Sequence, residues 1–151
     1  MRRAGLLFAV MLCLLGASAA GASATIFKGK TSAGKRALLK TDREGVPTFA
    51  SIKWRTDSCN RRGVYLRTST GFDEPFDRVN RSKLVDEGRY VLEDRAYRIK
   101  LRVSIRAEQR TPRLWKGSFG ARATILKHGA TYDHCALRKV DWFVQAGRRS
   151  G

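Results

Sequence analysis

Arg98, Lys100, Arg102 and Arg106 fall on alternate positions of a segment whose other alternate positions are Ile99, Leu101, Val103 and Ile105. Period two puts the cations on one face of a strand and the aliphatic side chains on the other. A helix would scatter the same cations around its circumference. Same-face residues on a strand lie about 6.7 Å apart, and guanidinium forks in such a row suit phosphate, sulfate or carboxylate groups. A row of like charges is unfavourable unless anions or acids lie opposite it. Lys53 and Arg55, which alternate with Ile52 and Trp54, and Arg122 from a later segment are expected to add to this face from neighbouring strands. The chemistry implied is the grip of a polyanion: a cell-wall polymer, lipid headgroups or extracellular nucleic acid.

Proton transfer at a phosphate is the rival chemistry. It needs an imidazole, a carboxylate and a cation for the developing charge. His128 and His134 supply the imidazoles, and Glu74, Asp77 or Glu93 a base. Their spacing does not join them, so no catalytic residue is assigned and a small ribonuclease-like hydrolase stands as the alternative. The sequence has no glycine-rich phosphate loop and no Gly-x-Ser-x-Gly elbow. Asp73, Glu74 and Asp77 are too few oxygen ligands for a calcium loop. No cofactor or metal is expected. Asn80-Arg81-Ser82 has the form of a glycosylation sequon.

The whole composition bears on the partner. The 151 residues hold 31 Lys+Arg against 13 Asp+Glu, a formal net charge of +18. Residues 25–72 and 95–151 are strongly basic, and 73–94 is mildly acidic. Such a chain attracts polyanions, although net charge by itself specifies no site. A third class is a structural, self-associating module, with the acidic stretch 73–94 of one copy against the basic face of another.

Arg2 and Arg3, the apolar run Leu6–Leu15 and the small residues ending at Ala22-Ser23-Ala24 have the three parts of a secretory signal peptide over 1–24. The apolar run falls short of the roughly 20 residues of a spanning helix. A secreted protein is expected, extracellular or in the cell envelope, with one domain over 25–145 and a tail over 146–151. Removal of 1–24 leaves Cys59 and Cys135. In an oxidising compartment an even pair reads as one disulfide. No Cys-x-x-Cys pair suggests zinc or thiol redox chemistry.

The elements that must hold these residues are short strands. Thr25–Lys30, Lys35–Lys40, Thr48–Arg55, Val64–Arg67, Gly88–Leu92, Tyr97–Ala107, Trp115–Leu126 and Leu137–Val144 carry the pattern, with glycines at the breaks. A short helical turn is expected near Asp77–Leu84. Trp54, Trp115, Trp142, Phe119 and Tyr90 are the expected large core or core-edge residues. Seven to nine short strands in one domain predict an all-β fold, an antiparallel β-sandwich or small barrel with one disulfide.

Phe27-Lys28-Gly29-Lys30-Thr31-Ser32, Cys59, Gly117-Ser118-Phe119, Cys135 and Trp142 together resemble the pattern of a group of small secreted bacterial proteins of unknown function. The resemblance spans most of the chain after residue 24. It implies a secreted β-sandwich held by one disulfide and brings no activity with it.

Overall fold

In the computed structural model, which describes residues 24–147, the chain is all-β. The signal peptide expected over 1–24 lies outside the described residues except for Ala24, as does the expected tail except for Ala146 and Gly147. In chain order the strands are β1 (Thr25–Thr31), β2 (Arg36–Thr41), β3 (Pro47–Arg55), β4 (Ser58–Cys59), β5 (Arg67–Asp73), β6 (Arg78–Asn80), β7 (Lys83–Asp94), β8 (Tyr97–Thr111), β9 (Leu114–Lys127) and β10 (Ala130–Ala146). Every pairing is antiparallel. The order across the sheet is β5-β3-β2-β1-β10-β9-β8-β7-β6, with β4 also beside β10.

Local sequence accounts for most of this path. β7, β8, β9 and β10 form long hairpins that extend past the segments read from the sequence. The expected helical turn near Asp77–Leu84 is instead β6, a turn and the start of β7. Val79 and Leu84 pair directly, and Ser82 donates from N–H and Oγ to Asn80 Oδ1 to close the turn. The strand expected at Val64–Arg67 starts only at Arg67.

The sheet curls into a half-barrel. Phe72 on β5 meets Phe119 on β9 edge-on at 6.3 Å, and Trp54 on β3 meets the same ring at 5.8 Å. Both contacts join strands that are far apart in sheet order, so the inner face packs on itself. The connection from Asp73 on β5 to Arg78 on β6 joins the two ends of that order, and five residue steps reach at most about 18 Å. Trp54, Trp115, Trp142 and Phe119 are buried inside, as the alternation implies. The Trp54 indole N–H donates to the buried Thr70 Oγ1 at 2.9 Å.

Tyr90 lies at the edge of the core and is 37% exposed. Its hydroxyl donates to the Gly71 carbonyl on β5 at 3.1 Å, reaching across from β7. The ring lies over Gly88, where a Cβ would stand 2.6 Å from it, so glycine is what lets the ring lie down.

Cys59 and Cys135 are directly paired residues of β4 and β10 and are disulfide-bonded, as expected. The adjoining Asp133 is buried. Its carboxylate accepts N–H bonds from Asn60 at 2.9 Å, His134 at 2.7 Å and Arg61 at 3.4 Å. A buried carboxylate needs such donors, and these fix the 60–61 segment onto β10. Among the described residues no helix is long and apolar enough to cross a membrane.

Candidate functional site

β8 turns Arg98, Lys100, Arg102 and Arg106 outward, with Leu101, Val103 and Ile105 buried beneath. The β8–β9 register sets Arg102 opposite Arg122, Ser104 opposite Gly120 and Arg106 opposite Ser118. On the other side, β7 sets Arg89 opposite Arg102. Arg89, Arg102 and Arg122 therefore form one rung of three arginines across three strands.

β10 completes the arrangement through an irregularity. Leu137 pairs with Ala121 and Val140 with Phe119, so three steps on β10 match two on β9. One extra residue makes a β-bulge. Leu137 and Val140 both stay buried, and Arg138 and Lys139 fall between them. Asp57 holds the bulge on its other side: its carboxylate accepts the Arg138 N–H at 2.9 Å, and its own N–H donates to the Ala136 carbonyl at 2.9 Å.

These strands enclose a groove of about 690 Å³. Five cations line it: Arg102, Arg106, Arg122, Arg138 and Lys139. Its single acid, Glu87, already binds Arg102 at 3.0 Å. Ser104, Ser118 and Gly120 also line it, so two hydroxyls and a position without a side chain lie among the cations. The arrangement offers charge, forked donors and hydroxyls to an oxyanion-bearing chain.

The structure separates the seven cations read from the sequence. Arg102, Arg106 and Arg122 share this groove. Arg98 and Lys100 lie further along β8, and Arg98 is bound by Glu93 at 3.0 Å. Lys53 and Arg55 are not on a strand neighbouring β8, contrary to expectation. β3 is separated from β8 by β2, β1, β10 and β9, because the chain returns to β10 before it closes the sheet. Lys53 and Arg55 line a second groove of about 600 Å³ on the far side of the bulge, and Leu137 and Lys139 are common to both. Arg138 and Lys139 escaped the sequence reading. Their signal was a phase slip: Cys135 and Leu137 keep one alternation, Val140, Trp142 and Val144 the other, and a bulge is needed between them.

The acidic stretch 73–94 lies beside the basic strand in the same molecule, because β7 is the hairpin partner of β8. Glu87 and Glu93 face Arg102 and Arg98 there. The exposed Tyr65 and the half-buried Tyr132 are each covered by one of the chain's own cations. Arg55 lies over Tyr65 at 4.2 Å and Arg61 over Tyr132 at 4.0 Å.

The structure does not assemble the acid–base candidates. His134 Nδ1 is 3.3 Å from Thr124 Oγ1, and His128 occupies the β9–β10 turn with a φ of 49°. Asp77 accepts the Glu87 N–H, and Glu93 holds Arg98. Among the described residues no carboxylate is hydrogen-bonded to either imidazole ring. Cys59, Cys135 and Asp133 gather ligand atoms within 4.8 Å. The two sulfurs are bonded to each other and the carboxylate accepts backbone N–H groups, so this cluster is a staple.

Comparison of the chain with protein-family models, with curated proteins and with solved structures finds no match.

Proposed function

We propose that this protein is a secreted, non-catalytic binding module that takes a polyanion in the groove formed by β8, β9 and the β10 bulge. The observation that carries this reading is the charge imbalance of one open groove. Five cations meet one acid, and that acid is already paired. Counterion release on binding then gives affinity that falls steeply with salt.

The test is retention on a sulfated-polysaccharide column and co-sedimentation with anionic vesicles, each at two salt concentrations. The probes are the native chain, Arg102→Gln/Arg122→Gln/Arg138→Gln, and a control carrying Lys28→Gln/Lys30→Gln/Lys40→Gln on β1 and β2. Strong, salt-sensitive binding lost in the groove variant and kept in the control supports the site. Equal loss in both variants reduces it to non-specific charge, and no binding at low salt removes it.

A further inference from the structure

β7 is covered on both sides only at its start. β6 pairs with Lys83–Val85, and from Asp86 to Asp94 the only strand paired with β7 among the described residues is β8. The direction of its backbone groups follows from two bonds. The Ser82 carbonyl accepts the Gln109 N–H of β8, whereas the Glu87 N–H turns the other way and donates to Asp77 Oδ2 at 3.0 Å. By alternation, Arg89, Val91 and Glu93 present N–H and C=O to the open edge.

From Arg89 to Glu93 this edge is regular and has no covering segment among the described residues. It has no proline, no lysine beyond Lys83 and no break in register with β8. Tyr90, Val91 and Leu92 are exposed by 37%, 53% and 42%. Such an edge is a template for another strand.

The sequence of the edge is complementary to itself when reversed. We infer that β7 pairs antiparallel with β7 of a second copy of this chain, about a twofold axis at Val91. In that register Arg89 stands opposite Glu93 of the second copy, and Glu93 opposite its Arg89. Glu87 comes level with Arg95 at the hairpin end, and Tyr90 meets Leu92 on the inner face. Moving the axis to Tyr90 opposes Glu87 to Glu93. Moving it to Leu92 opposes Arg89 to Arg95. All three registers set odd-numbered residues opposite one another, as the outward backbone groups require, so the charges choose among them. Arg89, which stands opposite Arg102 within its own sheet, then shares the second copy's Glu93 with that copy's Arg98. Both outer faces then lie on one side of the joined sheet, so two basic grooves face the same way.

Sedimentation equilibrium of the purified protein tests the pairing, with circular dichroism as the check on folding. The native chain dimerises with concentration. Glu93→Arg opposes two arginines twice and weakens the dimer by roughly tenfold or more. Arg89→Glu/Glu93→Arg exchanges the two charges and recovers most of the native affinity. Val91→Cys forms a covalent dimer under mild oxidation, whereas Lys28→Cys on β1 does not. A native chain that stays monomeric at high concentration overturns the inference. So does a dimer indifferent to Glu93→Arg, or a double exchange no better than the single one.

Discussion

Arg102 stands directly opposite Arg122 across β8 and β9, and only Arg102 of the two has an acid in reach, Glu87 at 3.0 Å. Like charges directly opposite on a sheet cost a few tenths of a kcal/mol, up to about 1. Arg122→Gln is therefore expected to leave the melting temperature unchanged or slightly higher. It lowers affinity for a polyphosphate and reduces the slope of log K against log salt by about one. Thermal melts and calorimetry at several salt concentrations read both effects. A melting temperature lowered by several degrees would show that Arg122 supports the sheet instead.

Tyr97–Ala107 was legible because its two faces differ completely in chemistry, so burial, register and exposure follow from alternation alone. The tryptophans and the cysteine pair were legible for the same kind of reason, since few environments suit them. Long-range order was not. Nothing local says that β10 lies between β1 and β9, so the placement of Lys53 and Arg55 far from β8 had no signal near those residues. Arg138 and Lys139 lay between, because their phase slip is visible in the sequence but its meaning needs the partner strand. Tyr90 stands on the inner face that its alternation marks, but which end of that face the half-barrel leaves uncovered had no local signal.

The Cys59–Cys135 bond joins strands 76 residues apart in sequence and lies next to the bulge that carries Arg138. Loop-closure entropy assigns such a link about 4.5 kcal/mol, and measured values commonly run from about 2 to 5. Cys59→Ala/Cys135→Ala is expected to lower stability within that range in denaturant melts. It also weakens polyanion binding, because β4 and Asp57 no longer hold the bulge in place. A reduced protein that melts with the oxidised one would remove the bond from the account of stability.

Asp86 has its pKa raised above the ordinary 3.8, first by burial and then by the nearby charges of Asp77 and Glu87, against the lowering effect of backbone N–H groups. The folded chain thus keeps this proton to higher pH than the unfolded chain. The contribution of Asp86 to stability is full below about pH 3.8 and is lost as pH rises through the raised value. Asp86→Asn keeps an oxygen for the Asp77 N–H and removes the charge, so its melting temperature gains on the native protein as pH rises from below the ordinary carboxyl value through the raised one. Tyr90 supplies a second readout. Its phenol is raised by burial, then by Asp86 and Asp73, so in Asp86→Asn its ultraviolet titration moves down toward the ordinary value. A tyrosine titration unmoved by the substitution would separate the two groups.

Gly120 offers the sharpest separation of binding from folding. It sits on β9 opposite Ser104, within the lining of the basic groove. A Cβ there would have Ser104 Oγ at 3.6 Å and the Leu137 carbonyl at 3.9 Å, ordinary contacts, so the backbone does not require glycine. Glycine inside a strand costs about 0.5–1 kcal/mol relative to alanine, and a β-branched residue suits a strand better still. Gly120→Val is therefore expected to match or exceed native stability while its methyl groups occupy the space between Arg102, Arg122 and Arg138. Polyanion affinity should fall by roughly tenfold or more with every cation intact, about 1.4 kcal/mol. A surface held only by net charge would not notice two methyl groups. Undiminished binding by a well-folded Gly120→Val protein would therefore move the ligand out of this groove.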